Sequence, residues 1–272
     1  MAPTPKASLI HLSIVSHGQF DLVNPLLEDL NACENSDNFL VTLTLNVPEK
    51  LPTLSFNFKV HVIENERPLG FGENHNQAFR SSPFTESSRV FVVLNPDIRI
   101  AENIFPILME PLFSSDPANN KRPCGVVAPR INNSEGVREN SARKIPTPWE
   151  ILKKVCRRTS VPNAYLSTET PFFPDWIAGM FMVFSKDVFK SLQGFHNKFF
   201  LYYEDVDICC RLWLQGYSVK VLPQVAAIHE AQRDSHRKLK YLVWHLSSMV
   251  KFFLSSTFLK ALRFHQKRNR HE

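Results

Sequence analysis

Four stretches of this 272-residue chain, "SLIHLSIVSHG", "FLVTLTLNV", "FKVHVIENE" and "RVFVVLNPDI", contain apolar runs of strand length separated by helix-length or loop-like segments. Continuous apolar runs, unlike alternating ones, suit strands buried on both faces. "FDLVNPLLEDLNAC" after the first reads as a helix, and "GFGENHNQAFRSS" before the fourth as a loop running into another. Such an order predicts an α/β fold around a mostly parallel central sheet flanked by helices. "CGVVAPRI" and "DWIAGMFMVFSKDVF" supply further strands, the second running into a helix. Ligands of these sheets sit beyond the carboxyl ends of the strands. Three closing loops therefore attract attention: Ser16–Gly18, Glu64–Arg67 and Asn95–Asp97.

A 43% hydrophobic content allows one substantial core, and the chain divides into a body, residues 1–232, and a basic amphipathic helical tail, residues 233–272. Residues 132–170, polar and basic in part, are expected to form a partly mobile excursion over the sheet edge. The five cysteines include no CxxC pair, which argues against a zinc knuckle or disulfide framework and for a reducing cytosol. The opening "MAPTPKASLIHLSIVSHG" has no basic region leading into a long apolar stretch, so no secretory signal is expected. The net charge of +6 is uneven: Arg233 onward holds ten Lys/Arg and two Asp/Glu, while the preceding 232 residues hold 22 and 24. A body without excess positive charge does not support nucleic-acid binding.

"FFLYYEDVDICCRLWLQGYSV" sets Glu204, Asp205 and Asp207 at the start of a helical pattern that Gly216 ends. One carboxylate near a first turn is a dipole partner; three leave a surplus for chemistry. "NPD" admits two readings: a turn of strong turn formers, or Asp97 holding a divalent cation against a diphosphate. "GFGENHNQ" lacks the full GxGxxG spacing. It is read as a nucleotide-edge loop, in which Gly70 and Gly72 allow close backbone approach and Asn74 and Asn76 face a base or ribose, or as helix capping. His229-Glu230 begins an HExxH pattern that Arg233 breaks, so His229 is either structural or a ligand, depending on whether Asp97 lies near. There is no GxSxG, and Cys209 and Cys210 read as core.

The ordered set "SIVSHG", "ENERPLGFGENHNQAF", "VVLNPDI", "DWIAGMFMVFSKDVFKSLQGFHNKFFLYYEDVDICCRLWLQGYSVKVLP" and "AAIH" resembles family 2 glycosyltransferases, closest to the rhamnosyltransferase-like branch, over roughly residues 8–255. The resemblance implies a GT-A fold and an inverting, metal-dependent transfer of a sugar from a nucleotide diphosphate donor to an acceptor hydroxyl. It implies Asp205 as base, with Glu204 as fallback or acceptor-orienting helper, and leaves Asp207 as a dipole partner. Asp97 and His229 match metal-site positions for Mg or Mn, with Asn95 standing where a fuller motif has a carboxylate. Ser16, His17, Glu64 and Asn76 match nucleotide-lining positions, and Trp176, Gly179 and Tyr203 fall on the acceptor side. Phe199, Phe200, Tyr202 and Tyr203 are split between sugar stacking and core. The implied donor is dTDP-rhamnose, and the implied acceptor a saccharide or lipid-linked saccharide in polysaccharide or glycolipid synthesis. A nucleotidyltransferase and a non-catalytic nucleotide-sugar-binding protein are the alternatives.

The tail carries Leu, Val, Trp, Met and Phe at helical intervals interrupted by His245, Lys251 and Lys260, with no run long enough to span a bilayer. Two placements are open: a helix on an anionic membrane surface, or a helix packed on the body or on a second copy. The resulting expectation is a cytoplasmic protein, peripheral at the inner face of the cell membrane in the first case.

Overall fold

In the computed structural model, residues 9–114, 122–157, 164–230 and 239–268 are described, with side chains omitted over 153–164. The first eight residues, the Cys156 side chain and the 232/233 junction lie outside that description.

Strands β1 (Ile10–Ser16), β2 (Phe39–Leu45), β3 (Lys59–Glu64) and β4 (Val90–Leu94) pair in parallel in the order β3-β2-β1-β4. Helices α1 (Phe20–Ala32) and α2 (Phe71–Ser81) are crossovers between them. A short strand, β5 (Ile98–Arg99), and helix α3 (Phe105–Phe113) follow. The second half adds β6 (Cys124–Asn133), β7 (Ala142–Arg143), α4 (Pro148–Arg157), β8 (Trp176–Ile177), β9 (Phe181–Ser185), α5 (Lys186–Ser191), α6 (Glu204–Leu214) and β10 (Ser218–His229). The full sheet runs β3-β2-β1-β4-β9-β6-β10-β5. β9 is antiparallel to both neighbours, β6 and β10 are parallel, and β5 closes the edge antiparallel to β10. The expected continuous strand at "DWIAGMFMVF" is two strands: β8 pairs with β7 in a separate small sheet, and the Ala178–Met180 break lets β9 join the main one.

Residues of opposite parity along the strands build different layers, because successive side chains point to opposite faces. Ile10, Leu12 and Ile14 pack with Val23, Leu26, Leu27 and Leu30 of α1 and Phe105 and Leu108 of α3 in an aliphatic-rich core. On the other face Phe91, Val93, Met182 and Phe184 meet Phe189 of α5 and Val206, Cys209, Leu212 and Trp213 of α6. Under α2 this second face turns polar. His11 Nε2 lies 2.8 Å from Thr42 Oγ1, which donates to Ser82 Oγ, and Ser13 Oγ lies 2.8 Å from His75 Nδ1. Burial pushes the pKa of both histidines down to about 3, so they are neutral.

The tail forms α7 (Leu239–Phe253) and α8 (Ser256–Arg268), bent by 67° with respect to each other. Phe252, Phe258 and Ala261 complete the second core, so both helices pack on the body. Asp175 fixes α8: His265 Nδ1 and an Arg268 Nη each lie 2.8 Å from its Oδ1. Among the described residues no single helix is long and apolar enough to cross a membrane.

Candidate active site

The parallel strands deliver the three flagged loops to one edge of the sheet, and the reversed strand β9 brings its own N-terminal end to the same edge. β4 stops at Leu94 and the chain turns through Asn95-Pro96-Asp97. Asn95 N–H donates to the Met180 carbonyl at 2.9 Å, one step beyond the β4–β9 ladder. Gly179, the neighbour of Met180, donates its N–H to Asp205 Oδ2 at 3.2 Å. This short relay joins the Asn95 turn to the first turn of α6.

At one pole, β5 follows the turn immediately, and its pairing with β10 sets His229 opposite Ile98. Asp97 Oδ2 therefore lies 3.2 Å from His229 Nε2, while His229 Nδ1 lies 2.9 Å from Glu139 Oε2. Glu139 sits on the return from a turn after β6, its N–H donating to the Ile131 carbonyl. Burial disfavours charge on His229, but hydrogen bonding to Asp97 and then Glu139 outweighs it and pushes the pKa up to about 9. Asp97 Oδ1 is buried without a hydrogen-bond partner. Among the described residues no three His, Cys, Asp or Glu side chains form a closed metal site. An open site fits at the orphaned Asp97 oxygen, which can hold a divalent ion whose other ligands are diphosphate and water oxygens; His229 Nε2 can join it only by giving up the proton it shares with Asp97.

At the other pole, Asp205 lies in the first turn of α6, where unpaired N–H groups and the helix dipole favour a carboxylate. Its Oδ1 accepts from Val206 N–H at 2.8 Å and its Oδ2 from Gly179. Burial raises its pKa; those two N–H groups and the Arg143 charge oppose the rise. Glu204 is buried, with Oε2 unpartnered, and burial followed by the Asp205 charge pushes its carboxyl well above the usual range. Both carboxyls are thus shifted up, Glu204 the further, so Asp205 is the more readily ionised of the two. Asp207 points away. Fully buried, it is 2.7 Å from Arg211 Nε, and Arg211 also donates to the Leu192 and Gly194 carbonyls.

Several expected contacts are used otherwise. A Cβ on Gly70 would come within 2.6 Å of the Phe200 carbonyl, and one on Gly72 within 2.5 Å of Phe195 Cβ. Both glycines therefore let α2 approach the 195–200 segment. Asn76 was expected to line the nucleotide, but its buried amide donates to Phe195 O and accepts from Phe195 N–H, both at 2.8 Å. Asn74 is likewise consumed by the Leu69 and Gly70 carbonyls. Tyr203, assigned to the acceptor side, is buried with its ring 5.4 Å from Phe252 and 5.5 Å from His245 of α7. Phe199 is core, whereas Phe200 and Tyr202 face Trp244 and His245.

The remaining residues stay at the edge. Ser16 donates to Glu49 and accepts from Gln19 N–H. His17 is exposed on one side, its Nδ1 3.2 Å from Asn46 Nδ2, and its pKa is lowered by the partial loss of water around the ring and then by Lys240. Glu64 is exposed at the end of β3. Trp176 is buried, its indole N–H donating to the Lys144 carbonyl and its ring 5.3 Å from the Arg143 guanidinium. Gly179 has the Phe71 ring 3.1 Å and Asp205 Cβ 3.7 Å from where a Cβ would stand. Sequence reasoning missed Asn46, Asn65, Glu49, Arg143 and Glu139. A signal existed for the asparagines: "TLN", "IEN" and "VLN" close three successive strands. Asn46 and Asn65 bond each other and, through Leu69 and Asn74, fix the loop into α2.

Comparison with known proteins agrees with this fold. The family described as "Glycosyl transferase family group 2" matches residues 147–261. The chain is 25% identical to the rhamnosyltransferase WbbL of Escherichia coli K12, over 94% of this chain and 97% of that protein. It is 24% identical to the N-acetylglucosaminyl-diphospho-decaprenol L-rhamnosyltransferase of Mycobacterium tuberculosis H37Rv, over 54% of this chain and only 48% of that one. Among solved structures, GalNAc-T7 with UDP, GalNAc and Mn2+ matches with a TM-score of 0.58 at 14% identity, over 85% of this chain and 45% of its own. The Pyrobaculum calidifontis mannosyltransferase PcManGT with GDP-Man and Mn2+ matches with a TM-score of 0.54 at 13% identity, over 91% of this chain and 65% of its own. The chain is thus similar to family 2 glycosyltransferases, rhamnosyltransferases among them, and is built on the GT-A fold of its structural neighbours.

Proposed function

We propose that this enzyme transfers L-rhamnose, with inversion, from dTDP-rhamnose to a hydroxyl of a lipid-linked saccharide. The observation carrying the reading is the pair of poles at one sheet edge: Asp205, held on two backbone N–H groups, and Asp97 with His229, linked to it through Asn95, Met180 and Gly179. Inversion by direct displacement needs a base beside the acceptor hydroxyl, opposite the leaving diphosphate. Asp205 takes the hydroxyl proton as the oxygen attacks the anomeric carbon and the bond to the diphosphate breaks. Asp97 and His229 would hold Mg or Mn, which when bound offsets the charge developing on the departing diphosphate. Ser16, His17, Glu64 and Asn95 line the donor side, and Trp176 and Gly179 the acceptor side. The sugar and the lipid-linked acceptor are supported by the relatives' names, the metal by the Mn-bound structural neighbours, and the choice of dTDP by the resemblance of the sequence motifs alone.

The outer face of α7 supports a place on a membrane. Leu239, Leu242, Val243, Leu246 and Val250 are exposed along one stripe, opposite the buried Ser248 and Phe252. Residues 239–268 contain six Lys/Arg and no Asp/Glu. An apolar stripe with basic flanks fits the headgroup region of an anionic inner leaflet, where a lipid-linked acceptor resides.

Nucleotide sugars, dTDP-rhamnose included, should be tested for Mn-dependent turnover on the wild type and on Asp205→Asn. Turnover of dTDP-rhamnose that the substitution abolishes is expected; preference for another donor would overturn the sugar, and full activity of Asp205→Asn would overturn the mechanism. Co-sedimentation with phosphatidylglycerol vesicles at low salt is expected, and its absence would remove the membrane.

A further inference from the structure

We propose that α7 is part of the catalytic machinery, with Ser248, His245 and Trp244 acting as positioning residues for Asp205. The proposal rests on Asp205 being the base. Immediately before α6 the backbone passes through two consecutive left-handed residues, Tyr202 at φ 70° and Tyr203 at φ 68°. Neither is glycine, so this geometry persists only where surrounding contacts impose it. It decides where α6 begins: Tyr203 is the residue at the helix N-terminus, and Glu204 and Asp205 are the next two.

The contacts come from two sides. From below, Phe71 N–H at the start of α2 donates to the Phe200 carbonyl at 2.8 Å. From above, α7 supplies the rest. Ser248 Oγ donates to the Leu201 carbonyl at 2.8 Å, and Lys251 Nζ to the Lys198 carbonyl at 2.8 Å. Trp244 lies 4.7 Å from the Phe200 ring, and His245 lies 5.2 Å and 5.5 Å from the Tyr202 and Tyr203 rings. Donors and rings of one helix face thus engage residues 198, 200, 201, 202 and 203 in turn. Truncating them leaves Asp97, His229 and the donor-side loops untouched. It frees the two tyrosines to relax, and α6 begins elsewhere.

The experiment measures dTDP release from dTDP-rhamnose, with Mn and an N-acetylglucosaminyl-diphospho-lipid as acceptor, by the wild type, Ser248→Ala, Ser248→Thr, His245→Leu and Asp205→Asn. A displacement of the base near 1 Å costs up to about 100-fold in rate. Ser248→Ala and His245→Leu are expected to lower kcat roughly 10- to 100-fold. Their KM for the donor should stay within about twofold, since donor contacts are untouched. Ser248→Thr, which retains the hydroxyl, should restore kcat; a merely structural loss would move KM and thermal midpoint together and show no such rescue. If Ser248→Ala does not fold, His245→Leu, on the exposed side of the contact, carries the same expectation. Unchanged kcat in these variants alongside an inactive Asp205→Asn would overturn the positioning role alone. An active Asp205→Asn would overturn the base assignment, and the positioning role with it.

Discussion

The two poles of the site are built by opposite means. Asp97, His229 and Glu139 form a chain of side chains, each oriented by the next, on strand ends that the sheet already fixes. Asp205 is oriented by backbone N–H groups at a helix start, and that start is set by a loop with two left-handed residues. A side-chain relay tolerates small backbone shifts and fails when one member loses its polar group. A backbone-held carboxylate fails when the loop moves, and so depends on whatever side chains hold that loop in place. The pole expected to meet a metal is thus the chemically sensitive one, and the pole expected to move a proton the geometrically sensitive one.

Substitutions can break this contrast. The largest effect is expected for Asp205→Asn, which keeps the shape but removes basicity and one of the two accepting oxygens: turnover should fall about 100- to 10,000-fold with donor affinity unchanged by calorimetry. Asp97→Ala should lose the metal-dependent part of donor binding, and equal affinity with and without Mn in the wild type would count against its assignment. Glu139→Gln, one step removed, should weaken Mn-dependent binding about tenfold, the low end for a partner that orients a metal-binding histidine. No change there would mean that the two poles are less different than drawn.

The smallest effect is on stability and belongs to neither pole. His11 and His75 are neutral in the fold, with pKa about 3, whereas the unfolded chain protonates them near 6.5. Their contribution is therefore intact above that value and lost as the pH falls through it. Each should cost about 0.7 kcal/mol between pH 7 and 6, read as a falling urea midpoint that His11→Phe or His75→Phe reduces.

What was legible in the sequence follows the range of the interaction responsible. β1, β2 and β4 could be read directly because burial on both faces writes itself into consecutive residues, as in "VFVVL". The turn at Asn95–Asp97 was visible because a strand end is a local event. Gly70, Gly72 and Asn76 were misread because what they touch, the 195–200 segment, is remote in sequence, and a glycine making room for a helix crossing looks like one making room for a phosphate. Glu139 was invisible for the same reason: only the pairing of β6 with β10 brings it to His229. The tail's periodicity announced helices, but the locks at Asp175 and Leu201 that hold α8 and α7 join partners tens of residues apart.

The reversal of β9 has a consequence for how this edge can vary. A strand running against its neighbours presents to the ligand edge the residues that precede it, so Gly179 and Met180 arrive there beside the turn that ends β4. Substitutions in that approach can alter what meets the edge while the register of β1 to β4 stays as it is.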